Sequence, residues 1–300
     1  MIVVTTPTGK IGRQVLNMLL EAKADVRVIV RSAAKLSPEL RDQVDVIEGS
    51  HGDLETIDKA LQGAEALFWL PPPNPKAESL ESAYRGFARP AAQAIEKHGV
   101  KHVVSVSALG RGLPIAAHAG LVTASHEMDD ELAASGAAFR ALTMPSFMDN
   151  LLWQVQSIKT THLLRSTIDP NLQLPTCATC DIAERATELL CERNWIGRAD
   201  SPVLGPADLS FDWMAATMSE VLGLPVRYEQ VSLDSHRVAL QEQGMSPAMV
   251  QGIVDMMAAK NKGLDSAEPR NEQSSSRTTF RQWCETQLKP AVENASGGNK

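Results

Sequence analysis

The residues best suited to chemistry open the chain. A short β-branched run, Ile2-Val3-Val4, breaks into Thr5-Thr6-Pro7-Thr8-Gly9-Lys10-Ile11-Gly12, and a helix-patterned segment follows at once. A strand, a tight turn and a helix start aim backbone N–H groups and the positive helix end at an anion, above all a phosphate. Gly9 permits close approach of the backbone to a pyrophosphate, and Gly12 permits close packing of helix on strand. The glycine pattern is one short: the first glycine of GxxGxxG falls on Thr6, and that of GxGxxG on Pro7. A GxxG alone also describes a strand–turn–helix that binds nothing, so its context decides.

Arg31 stands just after a second apolar run at 25–30. About 20 residues beyond the glycines, an NAD-specific fold tends to carry Asp or Glu for the ribose 2′-hydroxyl, whereas a basic residue suits a 2′-phosphate. Lys35 adds a second positive charge. The alternative is a solvated strand end. A charge-assisted bond to phosphate is worth roughly 1.5–3 kcal/mol, about tenfold to more than a hundredfold in affinity. The expected cofactor is therefore NADP rather than NAD.

These groups must be held by regular elements. Ile11, Val15, Leu16, Leu19 and Leu20 form a helical stripe, and strands are expected at 44–48, 64–70, 101–106 and 139–143. Helices are expected at 52–61, 76–98 and 120–135. This alternation predicts an α/β, Rossmann-type doubly wound parallel sheet with ligands at the carboxyl ends of its strands. The expected dinucleotide contacts sit at such ends. Thr6, Thr8, Gly9, Lys10, Ile11 and Gly12 form the turn, and Arg31 and Lys35 follow the second strand. Asp53 and Leu54 open a helix, Asp53 as N-cap or at the adenine edge. Leu70, Pro71 and Pro72 end the fourth strand, and Ser105 and Pro145 mark the ends of the fifth and sixth.

In order and spacing, TPTGKIG, VIVRSAAKL, EGSHGDLETIDKAL, GVKHVVSVSALG and SGAAFRALTMPSFMDNLL resemble the NmrA-like branch of atypical short-chain dehydrogenases/reductases. DIAERATELL and LGPADLSFDWMAATMSEVLGLPVRYEQVSLD extend the resemblance to roughly 1–290. No single motif is specific; the ordered set is. The resemblance implies a Rossmann fold and NADP. It leaves activity open among quinone reductases, reductases of plant phenolic compounds and redox sensors that bind the dinucleotide without turnover.

Departures from that pattern bear on catalysis. Conventional members pair a Tyr with a Lys four residues later, whose charge lowers the phenol pKa for proton transfer. Here Tyr84 is followed at that spacing by Ala88 and Tyr228 by Ser232, so the dyad is absent. Some relatives place Lys or His where this chain has Ser125. The adjacent His126 is the nearest acid, with Ser107 as a hydrogen-bond donor to a substrate oxygen. The alternative for His126 is a surface position heading the polar run 126–131. His118, in the loop after the fifth strand, is similarly open.

The formal net charge of −7 gives no basic footprint for nucleic acid. No apolar run is long enough to span a bilayer, and Met1 leads straight into the first strand, so a cytoplasmic location is expected. Cys177, Cys180, Cys191 and Cys284 fit a reducing compartment. Cys177 and Cys180 have CxxC spacing, read as incidental thiols or a redox-responsive pair. No second cluster completes a zinc site, and no metal is expected.

Residues 1–150 are expected to form the dinucleotide-binding domain, with 181–206 returning to it through a strand near 202–205. Residues 151–180 and 207–290 would form a smaller, mainly helical lobe, and 291–300 a flexible tail. The Met-rich stretch at 245–257 reads as core or as a pliable substrate wall. Two functions are carried: NADPH-dependent reduction of a small apolar electrophile (quinone, enone or aryl ketone), and dinucleotide sensing without turnover. The expected partners are a small-molecule substrate and a second copy of the chain as a homodimer.

Overall fold

The computed structural model describes residues 1–295. Its strands are β1 (Ile2–Thr5), β2 (Val26–Val30), β3 (Asp45–Glu48), β4 (Ala66–Trp69), β5 (His102–Ala108), β6 (Ala138–Met144), β7 (Ser146–Phe147), β8 (Leu163–Ser166), β9 (Leu174–Cys177), β10 (Arg198–Pro202), β11 (Asp208–Leu209) and β12 (Arg227–Gln230). The α-helices are α1 (Lys10–Glu21), α2 (Pro38–Arg41), α3 (Leu54–Leu61), α4 (Leu80–Ala83), α5 (Arg85–His98), α6 (Leu121–Ala133), α7 (Val155–Thr161), α8 (Thr179–Glu192), α9 (Phe211–Leu222), α10 (Leu233–Glu242), α11 (Pro247–Asn261), α12 (Phe280–Trp283) and α13 (Lys289–Asn294).

The main sheet runs β10-β6-β5-β4-β1-β2-β3, and every pairing in it is parallel. Strand order reverses between β1 and β4, which opens a crevice at their carboxyl ends. Because side chains alternate along a strand, each strand feeds two cores. Ile2, Val4, Phe68, Val104 and Leu142 pack with α1 and α8 on one face. Val3, Leu67, Trp69, Val103 and Phe139 pack with α3, α5 and α6 on the other. Burial on both faces explains why these strands read as continuous apolar runs.

A third core gathers Met148, Ile158, Leu164, Met214, Met218, Phe280, Trp283, Leu288 and Val292. It lies among α7, α9, α12, α13 and the small β7/β9/β11 and β8/β12 sheets. α11 packs against α6 and α4, and its Met249 is buried with Ala77 and Ala83, so this part of the Met-rich stretch is core. At the contact with α6, a Cβ on Gly120 would stand 2.0 Å from the Gly252 carbonyl oxygen.

Three boundaries differ from expectation. The helix expected at 76–98 starts only at Leu80, capped by Ser79, and breaks at Tyr84 (φ −119°, ψ −82°) into α4 and α5. The returning strand is β10 at Arg198–Pro202, an edge strand whose exposed residues give no apolar signal. The tail expected at 291–300 begins inside α13, because Val292 is held in the third core; 296–300 lie outside the described residues.

Candidate active site

The turn after β1 is built on an unusual threonine. Thr6 has φ 51°, the left-handed region that favours glycine, at the place of the missing first glycine. Its hydroxyl donates to the Leu70 carbonyl at 2.6 Å, while Thr5 Oγ1 donates to Phe68 O at 3.0 Å and accepts from Leu70 N at 2.8 Å. The two threonines thus fasten the end of β1 to the end of β4. A Cβ on Gly12 would stand 2.2 Å from Thr6 O, so only glycine lets α1 lie this close to the turn. On Gly9 it would meet Thr6 Cγ2 at 3.1 Å. α1 begins without a side-chain cap, and the first-turn amides of Lys10, Ile11 and Gly12 have no backbone partner among the described residues. Lys10 Nζ reaches Asp149 O, in the 3-10 turn after β7, at 3.3 Å.

Beside this turn, Arg31 and Lys35 are exposed and make no side-chain hydrogen bond or ion pair among the described residues. Glu48 accepts from the Ala33 amide at 2.5 Å and holds the short 3-10 turn at Ala33–Lys35. Asp53 heads α3 with its carboxylate uncommitted to a cap, next to Leu54, which is 52% exposed. Pro71 and Pro72 are half-buried beyond Leu70. Sequence reading missed His51. It is buried edge-on against Trp69 and Phe87, and its Nε2 donates to Leu70 O at 3.2 Å. Burial pulls its pKa down to about 4, with the Arg31 charge adding in the same direction, so it is a neutral donor near pH 7.

The other concentration of polar groups joins β5 to α6. Val103, Ser105 and Ser107 share a face of β5, the one turned to α6. On α6, Val122, Ser125, Asp129 and Leu132 are buried at helical spacing. The two patterns converge on Asp129, whose side chain is fully buried. Ser105 Oγ donates to its Oδ1 at 2.9 Å and Ser107 Oγ donates to its Oδ2. Arg111 Nη2 approaches Oδ2 at 3.3 Å, and Ser125 Oγ lies 3.5 Å from Ser107 Oγ. Burial raises the Asp129 pKa to about 6 against the opposing pull of the serines and Arg111. No sequence argument had singled it out.

His126 is buried, not on a charged surface: its Nε2 donates to Ala108 O at 3.0 Å, and burial lowers its pKa. His118 is exposed and lines a cleft of about 440 Å³ with Gly120, Thr123, Glu127 and Asp255, on the helix face opposite Asp129. Neither phenol forms a Tyr–Lys pair: Tyr228 is bonded to backbone carbonyls and Tyr84 is packed among apolar side chains. Tyr228 donates to Ser166 O at 3.0 Å and Ile168 O at 2.5 Å, and Tyr84 is largely enclosed at the α4–α5 break; burial raises both pKa values. Pro145 is buried at the end of β6. Cys177 is fully buried and its thiol pKa is pushed up by burial and by Asp181 and Asp149, the reverse of an activated thiol. Among the described residues, no group of three or more His, Cys, Asp or Glu is placed to hold a metal ion, and no helix is long and apolar enough to cross a membrane.

The profile of a protein family described as NAD(P)H-binding matches residues 7–167. The chain is 27% identical over 295 residues to (4-alkanoyl-5-oxo-2,5-dihydrofuran-3-yl)methyl phosphate reductase of Streptomyces griseus, covering 94% of this chain and 96% of that one. It is 28% identical over 258 residues to an NAD(P)H azoreductase of Xenophilus azovorans, covering 86% of each. Its fold matches the NADPH-bound crystal structure of an NADPH-dependent quinone oxidoreductase from Escherichia coli, with TM-score 0.75 at 21% identity over 95% of this chain and 98% of that one.

Proposed function

The chain belongs to the NAD(P)H-binding family, and from that premise we propose that it is an NADPH-dependent oxidoreductase acting on a small, apolar, conjugated electrophile: a quinone, enone, aryl ketone or azo compound. The observation that carries the substrate class is the absence of a Tyr–Lys pair on α6, where Ser125 and Asp129 stand at the four-residue spacing on the face turned to Ser107. A site without a phenol acid suits a substrate whose developing negative charge is spread over a conjugated system and needs modest proton assistance. The reductase names of the two relatives, one for an unsaturated lactone that also carries a phosphate and one for azo compounds, support the conjugated electrophile in this reading.

The residues fit the cofactor. The uncapped start of α1 and the close turn of Thr6, Thr8, Gly9, Lys10, Ile11 and Gly12 suit a pyrophosphate. Arg31 and Lys35, uncommitted to any acid, suit a 2′-phosphate. Asp53 and Leu54 would flank the adenine and Leu70, Pro71 and Pro72 the adjoining ribose, while Ser105 and Pro145, both buried, would back the nicotinamide end rather than touch it. When bound, NADPH supplies the hydride. The protein orients the electrophile, excludes water and holds a hydrogen-bond donor, Ser107, for the oxygen or nitrogen that gains charge.

The test is NADPH consumption with a panel of a quinone, an azo dye, a butenolide and an aryl ketone, run beside NADH. Turnover of at least one of them, faster with NADPH, is expected. Tight NADPH binding with no consumption across the panel would overturn the reading in favour of dinucleotide sensing.

A further inference from the structure

Asp129 stands on α6, away from the turn between β1 and β4, and a carboxylate is costly to bury. A carboxylate at zero exposure, bonded to two serines at the carboxyl end of a central strand, is poised to exchange a proton with them. From β5 it meets Ser105 and Ser107 and from the following loop Arg111, while Ser125, His126 and Asp130 are its polar neighbours along its own helix. Beyond these, Arg198 of β10 binds Asp130, while the Asp200 charge bears on His126. Arg111 divides its guanidinium among Asp129, Asp130 and the His126 carbonyl, so Asp129 receives a glancing contact at 3.3 Å rather than a paired fork.

Resting on the oxidoreductase reading above, we infer that Asp129 is the proton source for the reduction and acts through the Ser107 hydroxyl. Ser107 has one hydrogen to give. While Asp129 is a carboxylate, that hydrogen is committed to its Oδ2. When Asp129 is protonated, its own O–H donates to Ser107 Oγ and frees the serine hydrogen for the substrate. The electrophile gains two electrons and one hydrogen from the dinucleotide, which is oxidised, and is left one proton short. Ser107 gives its hydrogen to the charged oxygen or nitrogen as it takes the Asp129 proton, and the resulting carboxylate is reprotonated from solvent. Burial, which holds the Asp129 proton to about pH 6, keeps this donor partly filled near neutrality. Asp129 is thus a positioning and relay residue, with Ser107 the group that touches substrate.

Two measurements test it. In the cofactor-free protein, infrared difference spectra should show one buried carboxylic-acid band growing as pH falls through about 6; Asp129→Asn should abolish it and Ser107→Ala should shift it. In turnover of an enone, Asp129→Asn and Ser107→Ala should each lower kcat about 10²-fold, at the low end for loss of a general acid. The double variant should fall no further, and the wild-type decline of kcat above about pH 6 should disappear in Asp129→Asn. Ser107→Ala retains the buried carboxyl and covers the case in which Asp129→Asn does not fold. A wild type that consumes NADPH while both variants keep its rate and pH profile overturns the relay alone, as does absence of the band. A wild type that binds NADPH and reduces nothing overturns the oxidoreductase reading and the relay with it.

Discussion

Gly12→Ala separates packing from helix propensity because the two predict opposite signs. Gly12 is the third residue of α1, where alanine is intrinsically better by about 1 kcal/mol. The added Cβ, however, would stand 2.2 Å from Thr6 O, 2.8 Å from Thr6 C and 3.1 Å from Thr5 O. These are backbone atoms that cannot rotate away, and restoring an ordinary contact moves α1 by about 1 Å, a gap that forfeits a quarter to a half of each dispersion contact it opens. Ile11, Val15, Leu16 and Leu19, all buried on α1, would be drawn back from the sheet and α8. Overpacking of this kind costs typically 1–3 kcal/mol. With four anchoring side chains involved, we expect the upper end, and after the gain in propensity a net loss of about 2 kcal/mol. Urea unfolding followed by tryptophan fluorescence should show a lower midpoint with an unchanged slope. NADPH affinity should fall as well, because the first-turn amides move with the helix. Gly9→Ala, whose Cβ meets Thr6 Cγ2 at 3.1 Å, should spare stability more than binding. A Gly12→Ala protein as stable as wild type, or more so, would refute the close-packing argument.

Arg31→Ala should reduce the preference for NADPH over NADH by about tenfold to a hundredfold, the worth of a charge-assisted phosphate bond, with NADH affinity little changed; titration by tryptophan quenching checks it, and equal affinities for the two cofactors in the wild type would sink the assignment. His51 and Asp129 should oppose each other in acid. The folded state holds the His51 pKa at about 4 against 6.5, so stability is lost as pH falls from about 6.5 toward 4, up to about 3 kcal/mol. Asp129, at about 6 against 3.8, takes its proton earlier in the folded state and adds a similar amount, about 3 kcal/mol, as pH falls through that window. Urea midpoints at about pH 7 and pH 4.5 should therefore show Asp129→Asn more acid-sensitive than wild type and His51→Gln less so, whereas three parallel profiles would contradict both assignments.

The β1–α1–β2 unit was legible because period-two and period-3.6 patterns meet at one glycine-containing turn, and burial on both faces wrote each central strand as an apolar run. β10 escaped because it is an edge strand, exposed over Arg198–Asp200 and recognisable only through its pairing with β6. The Tyr84 break escaped because 80–98 is helical on both sides of that one residue. Asp129 was hidden by its neighbours. His126-Glu127-Met128-Asp129-Asp130-Glu131 looks like a solvated face, yet Met128 and Asp129 are buried while Glu127 and Asp130 are exposed. The signal was present in combination: Val122, Ser125, Asp129 and Leu132 recur at helical spacing, and Ser105 and Ser107 share a strand face. A single carboxylate on an apolar helix face opposite two hydroxyls is where a buried polar cluster forms. His51 carried no such signal, since nothing in the sequence places a loop histidine beneath Leu70.

The proton source bears on which substrates this site would serve. A phenol beside a lysine is a weak acid whose conjugate base is strong enough to take a proton from an alcohol, so it serves carbonyl reduction and alcohol oxidation alike. A carboxyl group held near pH 6 is a stronger acid and a much weaker base. It could readily protonate an enolate, a phenolate or a nitrogen anion, and it would be a poor base toward an alcohol. If the proposed relay holds, a serine–carboxyl pair in place of a phenol–lysine pair would favour reduction of conjugated acceptors over reversible interconversion of simple ketones and alcohols. The proposed dinucleotide turn need not change for that to happen, because it joins the ends of β1 and β4, while the proposed acid pair joins β5 to α6.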